Sequence, residues 1–529
     1  MTSKTPVLII GAGPTGLMMA CELARHGISF RIIDKKPEPT AYSNATWIQT
    51  RTIELLDHIG LIDRFLRNSH SCHAINLYAN GEIALQIPLN QIDSTYPFIL
   101  MLPQHETEKL LNQHLEELHY HVERSAELVK VTQQENLVIS TIQHTDGSTE
   151  EIASDWLIAC DGANSKVREL CQIVFPGQDL PEQFMVADAE MGSCLPSNEI
   201  HLFFDAGTIF PEKGTILAAF PWGSKQYRIT ANLYQEHSRQ TFTTHEVKDA
   251  VHERTYGNYT AESVAWISPF WIHSKVVENM RHGAIFLAGD AAHIHSPLGG
   301  QGMNAGLQDA YNLAWKIALV IKNKAKSTLL DSYHLERHPI VSDIVSQTET
   351  LTKMALFDPA FIGKLTNFGT HIARQKPLAK NIGMQLTQLS IQYQNSPIIN
   401  YTTSINTQSP QQGERVPDVT INASSRLFDY LHNTLHNVLL FTGTTDGNNQ
   451  KLLTLQTWLN EHFADLVKTH LIAKNKVNNK DDIFDEHSAI HQAYHISKPT
   501  IYIMRPDNYI GYCSQELDSA PIEKFLRQY

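Results

Sequence analysis

Apolar residues near the start of the chain follow the periods expected of a strand, a helix and a second strand. Val7–Ile10 is a continuous apolar run of the kind that a buried parallel strand shows. Apolar positions then recur at helical spacing from Leu17 to Ala24, and Gly27 follows where that helix should stop. A second, mostly apolar run occupies Phe30–Ile33. The pattern therefore predicts a βαβ unit.

The turn between the first strand and the helix has the spacing Gly-x-Gly-x-x-Gly, at Gly11, Gly13 and Gly16. In such a turn the first glycine permits the tight bend and the second lets backbone N–H groups approach a pyrophosphate. The third lets the helix pack closely on the strand. Asp34 ends the second strand, where it would accept hydrogen bonds from an adenosine ribose. The unit predicts a dinucleotide site without choosing between NAD and FAD.

Two later segments repeat the arrangement of an apolar strand that opens into glycine. The strand predicted at 155–160 opens into Asp161 and Gly162. The strand predicted at 284–288 delivers residues 289–290 to a strand end, which is where open α/β sheets bind ligands. The three segments together predict a flavin site.

A glycine-rich loop at 297–304 leads into a helix with apolar positions at helical spacing, among them Leu307, Ala310 and Ala314. A loop of this kind at a helix N-terminus is an anion site. It would stabilise the negative N1–C2=O edge of a reduced flavin.

These segments resemble those of the group A flavoprotein monooxygenases of the p-hydroxybenzoate hydroxylase fold, in the branch with phenol hydroxylase and the aromatic-polyketide hydroxylases. The resemblance extends over nearly the whole chain and is most specific in the flavin motifs. Further matching motifs are Leu102-Pro103-Gln104, Gly289-Asp290-Ala291-Ala292-His293, Tyr333-x-x-Glu336-Arg337-x-Pro339, Gly413-Glu414-Arg415-Val416-Pro417-Asp418 and Met504-Arg505-Pro506-Asp507.

The resemblance implies an α/β fold: a FAD-binding Rossmann-like βαβ domain with an inserted antiparallel-sheet substrate domain and a C-terminal thioredoxin-like domain. Segments at 199–204, 214–222 and 226–231 alternate or run apolar between turn residues, as antiparallel strands do. The predicted parts are 1–180 (FAD-binding domain, first part), 181–275 (inserted substrate-binding sheet), 276–396 (FAD-binding domain, second part, and long helices), 397–412 (polar linker) and 413–529 (thioredoxin-like domain without a Cys-x-x-Cys pair).

The resemblance also implies which residues form the site. Asn44 stands where the family often has a basic residue, and Arg51 is expected to replace it. Pro297 and Gly302 are the predicted catalytic positions, because they belong to the flavin loop around N1 and the peroxide. The predicted cofactor-binding residues are Gly11, Gly13, Pro14, Thr15, Gly16, Asp34, Lys35, Arg51, Gln104, Asp161, Gly162, Gly289, Asp290, Gly300, Gly302, Met303 and Asn304.

The expected function is hydroxylation of a phenolic or polyketide-like aromatic by O2 through a flavin C4a-hydroperoxide, with FAD as cofactor and NADPH or NADH as reductant. An antibiotic-inactivating monooxygenase, a flavin reductase of the same fold, and a non-catalytic protein that binds flavin or an aromatic ligand remain open. The substrate base is unassigned. Tyr227, Arg228, His201 and His273 lie in the inserted sheet, but strand alternation sends half of such residues to the far face.

Composition limits the number of domains, the kinds of partner and the cellular compartment. At 529 residues and 42% hydrophobic, the chain can form about three domains. Its net charge of −13 argues against nucleic-acid binding, and no segment reaches the length of a membrane span. Six scattered cysteines without a Cys-x-x-Cys pair predict a reducing, cytoplasmic setting. A homodimer remains open.

His487, His491 and His495 have a spacing that would suit metal ligands on one helix face. That helix is expected to end near Tyr494, so a solvated helical face is the favoured interpretation. His293 and His295 are assigned to local hydrogen bonds in the flavin-loop turn. No metal site is predicted.

Overall fold

The computed structural model describes most of the chain. The described residues are 3–40, 45–134, 137–192, 195–205, 214–232, 241–358, 360–373, 375–401, 405–444, 449–475 and 479–529. The expectation for Asn44 lies outside these ranges. None of the helices within them combines the length and apolar character needed to cross a bilayer.

The elements are numbered in chain order. The helices are α1 Pro14–Arg25, α2 Thr50–His58, α3 Ile62–Asn68, α4 Gln104–Glu117, α5 Lys166–Leu170, α6 Thr244–Arg254, α7 Gly302–Ile321, α8 Asp331–Phe357, α9 Phe361–Ala373, α10 Lys376–Leu386, α11 Asn449–His462, α12 Ala489–Ala493 and α13 Ser519–Leu526. The strands are β1 Ser3–Ile10, β2 Phe30–Asp34, β3 Trp47–Ile48, β4 His70–Cys72, β5 Ala74–Ala79, β6 Glu82–Pro88, β7 Ile99–Met101, β8 Glu123–Arg124, β9 Ala126–Gln134, β10 Leu137–His144, β11 Thr149–Ala159, β12 Gly177–Met191, β13 Glu199–Asp205, β14 Thr215–Pro221, β15 Gln226–Asn232, β16 Ala261–Val276, β17 Arg281–His282, β18 Ile285–Leu287, β19 His293–Ile294, β20 Thr420–Asn422, β21 Ser425–Arg426, β22 His436–Phe441, β23 Val467–Ala473, β24 Ile483–Phe484, β25 Thr500–Met504 and β26 Ile510–Ser514.

The first sheet contains the predicted βαβ unit as β1, α1 and β2. Its main strand order is β17-β18-β11-β1-β2-β8. Strand β1 pairs in parallel with β2 and β11, and β11 pairs in parallel with β18. Because β1, β11 and β18 run in one direction, the three turns that follow them meet at one edge of the sheet.

The second sheet has the order β19-β16-β12-β15-β14-β13-β5-β6. Strands β13 to β15 match the three strands predicted from the sequence. Strands β5 and β6 come from much earlier in the chain, and β5 joins the sheet by pairing in parallel with β13. One face of this sheet packs on α6, and the other packs on α9 and α10.

The third large sheet is C-terminal and has the order β24-β23-β22-β25-β26. Strand β22 pairs in parallel with β23, which follows α11, and antiparallel with β25, which forms a hairpin with β26. This is a thioredoxin-like arrangement. Cys513 on β26 is buried, and burial raises the pKa of its thiol to about 12. Residues 413–529 contain no second cysteine that could pair with it.

The polar stretch 397–412 packs against the C-terminal sheet over its described residues. Ile398, Ile399 and Ile405 are buried in it, and the backbone N–H of Asn400 donates to the Gly511 carbonyl at 3.0 Å. Three buried isoleucines thus anchor a segment of polar composition.

Buried charges join the C-terminal sheet to helices α7 and α8. Glu336 accepts hydrogen bonds from both terminal nitrogens of Arg505, at 2.5 and 2.9 Å, and from Lys316 Nζ at 2.7 Å. Arg505 Nε also donates to Asp507 at 2.9 Å. These charges lie in a medium of low dielectric constant, where their attraction is strong.

Burial acts in opposite directions on the pKa values of Glu336 and Lys316. Burial alone would raise the pKa of Glu336, but Arg505 and Lys316 hold it well below its usual range. Burial lowers the pKa of Lys316 to about 8, against the opposing effect of Glu336. The carboxylate is therefore the centre of this cluster.

We expect Glu336→Gln to lower the free energy of unfolding by about 3–5 kcal/mol, because two buried cations would lose their shared carboxylate. Chemical denaturation measures the change. The control is Glu523→Gln, which removes an exposed partner of Arg527 and should cost less than about 0.5 kcal/mol. Equal losses in the two variants would contradict the importance of burial.

Candidate functional site

Close backbone contacts bring the first two glycine motifs together. Gly11 has φ +97°, and a Cβ placed on it would lie 2.4 Å from the Cys160 carbonyl oxygen at the end of β11. A Cβ on Gly16 would lie 2.0 Å from the Gly11 carbonyl oxygen. Both positions therefore require glycine, the first for its backbone conformation as well.

The third motif closes on the same place through Thr15. A Cβ on Gly289 would lie 2.5 Å from Thr15 Oγ1, and a Cβ on Gly306 would lie 2.4 Å from the same atom. The turn after β18 and the helix α7 thus both pack against the first turn of α1. All three predicted segments border one cleft.

The cleft is open beside two glycines of these motifs. A Cβ placed on Gly13 or on Gly162 would have no heavy atom within 4 Å. Helix α1 begins at Pro14 without a side-chain cap, so the N–H groups of its first turn have no capping acceptor. An open glycine turn at an uncapped helix N-terminus fits the pyrophosphate of a dinucleotide.

Asp34 ends β2 beside this turn. One of its oxygens accepts from the Ala12 N–H and the other from the Lys36 N–H, both at 2.8 Å. Each oxygen can accept a further hydrogen bond, so the carboxylate shapes the turn and still fits a ribose. Lys35 beside it is exposed.

Asp161 offers a buried acceptor on the opposite side of the cleft. Its Oδ2 accepts from the backbone N–H groups of Lys166 and Val167 at 2.7 and 3.1 Å. Its Oδ1 is buried and has no hydrogen bond to the described residues. Burial raises the pKa of this carboxyl. An orphaned acceptor of this kind fits a hydroxyl group of a bound cofactor.

Asp290 is held at the cleft by a carboxylate behind it. Solvent reaches Asp290, but the surrounding protein atoms partly desolvate it and raise its pKa. Asp309 on α7 accepts from the Gly289 N–H at 3.0 Å, from His293 Nε2 at 2.7 Å and from Arg337 Nε at 2.8 Å. The turn that presents Asp290 is therefore fixed from the protein interior.

The loop before α7 packs on β3. Gly300 has φ +59°, and a Cβ on it would lie 2.5 Å from the Trp47 ring. Helix α7 begins at Gly302 without a side-chain cap. Pro297 is exposed and Met303 is half-buried. The uncapped N-terminus fits the negative edge of a reduced flavin.

The side chain of Asn304, a predicted cofactor-binding residue, is hydrogen-bonded within the protein. Its Oδ1 accepts from the Gln49 N–H at 2.9 Å, and its Nδ2 donates to the carbonyls of Trp47 and Gly300 at 2.8 and 2.7 Å. Both amide protons are used, so this side chain clamps the loop to β3 and has no donor left for a cofactor.

Arg51 was also expected to bind the cofactor, and its side chain makes several contacts within the protein. Its guanidinium donates to Glu54 at 3.1 Å and to the Asp507 carbonyl at 3.0 Å, and it lies over the Tyr509 ring. Arg51 therefore belongs to the interface with the C-terminal sheet. Gln104, at the start of α4, donates to Glu108 at 2.9 Å.

Of the two histidines predicted in the flavin-loop turn, His295 makes a local hydrogen bond and His293 bonds a residue of α7. His293 bonds Asp309, and His295 Nδ1 donates to the Ser296 carbonyl at 2.8 Å. Burial lowers the pKa of His295 to about 4, so its imidazole is neutral at pH 7. Asp309 and Arg337 were not predicted from the sequence as site residues, because they act on the cleft only through the residues that they hold.

The second sheet turns a cross-strand row of side chains towards β3. In the register of β14, β15, β12 and β16, its members are Phe220, Arg228, Asp188 and Trp266. Arg228 bonds both Asp188 oxygens at 2.9 Å and donates to Thr46 Oγ1 at 3.0 Å. The Phe220 ring lies 5.9 Å from that of Trp47. This row brings aromatic surface and one ion pair beside the loop before α7.

The other candidates in the second sheet lie elsewhere. Tyr227 and His201 are buried on the opposite face, where they bond the carbonyls of Leu195 and Pro196. His273 is exposed and pairs with Asp179. Strand alternation thus separates Arg228 from the others.

The C-terminal histidines do not share a helix face. Helix α12 ends at Ala493, and His491 is buried against Asp485 at 2.7 Å, whereas His487 and His495 are exposed. Across the described ranges, no three His, Cys, Asp or Glu side chains are grouped so as to hold a metal ion.

Comparison with known proteins agrees with this geometry. The family described as FAD binding domain matches residues 4–348. An uncharacterised aromatic compound monooxygenase of Bacillus subtilis is 32% identical over 82% of this chain and 84% of its own length. Pentachlorophenol 4-monooxygenase of Sphingobium chlorophenolicum is 29% identical over 96% of this chain and 94% of its own.

A solved structure extends the match to the whole fold. The anhydrotetracycline hydroxylase OxyS of Streptomyces rimosus is 27% identical, with a TM-score of 0.76 over 99% of both chains. The predicted family and α/β fold class are confirmed. The chain belongs to the FAD binding domain family, among the FAD-dependent monooxygenases of aromatic compounds.

Proposed function

We propose that this monooxygenase uses O2 and two electrons from NADH or NADPH to hydroxylate a phenolic or polyketide-like aromatic, with water formed from the second oxygen atom. The observation that carries the proposal is the cleft of three glycine turns beside an aromatic sheet face with one charged pair. The relatives that act on pentachlorophenol and anhydrotetracycline support this substrate class. The sequence has a single Gly-x-Gly-x-x-Gly turn, so the nicotinamide would bind without a dinucleotide fold of its own.

FAD would lie along the edge where β1, β11 and β18 end. The N–H groups of the first turn of α1 would face its pyrophosphate beside Gly13, and Asp34 would face its adenosine ribose. Asp161 and Asp290 would accept hydrogen bonds from hydroxyl groups nearer the ring. When bound, the flavin supplies the two-electron chemistry and the activation of oxygen.

The protein's own task is to place the aromatic and keep water away from the reaction. Phe220 and Trp266 offer flat apolar surface for stacking. Arg228, held by Asp188, offers a positive charge suited to an acidic phenol. The loop of Pro297 and Gly302 borders both this face and the cofactor cleft, and we propose these two residues as its contacts.

Turnover with a panel of phenols tests the proposal. We expect NADH or NADPH consumption to rise with a substrate phenol and hydroxylated product to form in equal amount. Product, nicotinamide oxidation and hydrogen peroxide are measured together. Peroxide alone across the panel would favour a flavin reductase, and no stimulated oxidation would favour a protein that only binds aromatics.

The cofactor should be bound non-covalently, because the proposed contacts are turns, helix ends and carboxylates. The purified protein should therefore be yellow and release FAD on acid precipitation. Chromatography of the supernatant identifies the flavin. Flavin retained on the precipitated chain, or release of FMN, would contradict the assignment.

We expect Asp290→Ala to weaken FAD binding about 10- to 100-fold, because loss of a charged hydrogen-bond acceptor costs on the order of 1.5–3 kcal/mol. Titration of apoprotein with FAD, followed by flavin fluorescence, measures the affinity. The control is Asp331→Ala, which removes an exposed carboxylate paired with Arg281. An unchanged dissociation constant in Asp290→Ala would count against its place in the site.

A further inference from the structure

Two sequence motifs have no role in the proposed cofactor contacts. They are Met504-Arg505-Pro506-Asp507 in the C-terminal part and Tyr333-x-x-Glu336-Arg337-x-Pro339 on α8. The structure joins both motifs to the turn at 289–293 through two buried ion pairs, Arg505–Glu336 and Arg337–Asp309, whose α8 members are adjacent in the chain. These contacts form a line that runs from the C-terminal sheet to the residue beside Asp290.

The first step of the line is the two-pronged contact of Arg505 with Glu336. Both side chains are fully buried. The planar guanidinium matches the carboxylate geometry, so the contact fixes orientation as well as distance. Asp507 holds the same guanidinium from its other side through Nε. Arg505 is therefore locked at both edges.

The second step passes to the next residue of α8. Arg337 follows Glu336 directly, and it donates to Asp309 at 2.8 Å and to the Ala305 carbonyl at 3.2 Å. Arg337 and Asp309 are also fully buried. Burial alone would raise the pKa of Asp309, but Arg337 and His293 hold it below its usual value.

The third step reaches the cofactor edge. Asp309 accepts hydrogen bonds from the Gly289 N–H and from the His293 imidazole. These two residues flank Asp290 in the turn after β18. Tyr333, from the same α8 motif, donates to the Leu287 carbonyl at 2.8 Å, at the end of β18. The α8 motif thus grips both the last strand residue and the turn that follows it.

Helix α7 is tied to the same line at a second point. Asn312 donates to Glu336 at 2.8 Å and to Asp507 at 3.3 Å, and Lys316 bonds Glu336. Asn312 and Lys316 lie on the helix whose N-terminus borders the loop of Pro297 and Gly302. Arg505 is therefore connected, through Glu336, to two parts of the cofactor cleft: the turn that carries Asp290 and the helix α7.

We propose that Arg505 is a positioning residue for the cofactor site, acting through the Glu336-Arg337 pair on α8 and Asp309 on α7. The inference rests on the proposed placement of FAD at this edge. Loss of Arg505 would leave Glu336 with Lys316 as its remaining buried cation, and α8 would have to shift to satisfy it. The same shift would move Arg337 and the turn that it holds through Asp309.

The test compares two arginines that dock the C-terminal part at different places. Arg505→Met breaks the contact with α8. Arg415→Met breaks a comparably buried contact, in which Arg415 donates to Glu54 on α2 at 2.9 Å and to the Asp93 carbonyl at 2.7 Å. For each variant, the urea midpoint, the FAD dissociation constant and the visible spectrum of bound FAD are measured. Arg505→Lys is the second variant, because it keeps the charge and loses the fork.

We expect both methionine variants to lower the urea midpoint. Only the Arg505 variants should also weaken FAD binding, by about 2- to 30-fold, and change the visible spectrum of the bound flavin. Equal stability losses with unchanged FAD affinity and spectrum in Arg505→Met would overturn the inference. Should Arg505→Met fail to fold, an Arg505→Lys variant with wild-type affinity and spectrum would overturn it.

Linkage gives an independent measurement on the wild-type protein. If docking of Arg505 favours FAD binding, FAD must favour docking by the same factor. We expect FAD to slow hydrogen exchange around residues 504–510 more than in β24, the strand at the opposite edge of the C-terminal sheet from β26. Equal protection would contradict the inference alone. Wild-type protein that does not bind FAD would contradict the proposed function, and the inference with it.

Discussion

A single buried carboxylate, that of Asp309, holds the cofactor edge of this molecule together. It receives a backbone N–H from the turn after β18, an imidazole from the same turn and a guanidinium from α8. Each of these groups would carry a large desolvation cost without its partner. The turn, α7 and α8 are consequently fixed relative to one another, and every cofactor contact proposed on this side depends on that arrangement.

The other half of the cleft depends on the absence of side chains. Gly11 and Gly16 allow the β1–α1 turn to touch the end of β11, and Gly289 and Gly306 allow the turn after β18 and α7 to touch Thr15. At each of these glycines a methyl group would collide with the neighbouring atoms. Gly13 and Gly162 face open space instead. Glycine therefore permits close packing at some positions of the cleft and leaves room for a ligand at others.

The sequence predicted most of what is local. The βαβ unit, the strands that lead into Asp161 and Gly289, and the tight turn at Gly11 follow from short-range periodicity and backbone sterics. Partners distant in the chain could not be predicted this way. Arg51 and Asn304 have side chains suited to a cofactor, but residues as remote as 456 positions away occupy them. The docked C-terminal part supplies a partner of Arg51, whereas the partners of Asn304 lie at β3 and in the loop before α7.

The second sheet shows the same limit. Its central strands alternate clearly enough to be predicted. Strand β5, however, joins them by pairing in parallel with β13, and the paired residues Ala74 and Glu199 are 125 positions apart in the chain. Nothing in the local pattern of β5 distinguishes this sheet from the first one. Likewise, alternation could not decide which face of β15 points to the site, and the cross-strand contacts of Arg228 were needed to do so.

The contact between Glu336 and Arg505 can form only after both residues have been synthesised. The two residues are 169 positions apart, and a ribosome adding roughly 5–20 residues per second needs on the order of 10 to 30 s to pass from one to the other. During that interval Glu336 lacks its arginine partner. The buried cluster that joins α7 and α8 to the C-terminal sheet is therefore completed only near the end of synthesis.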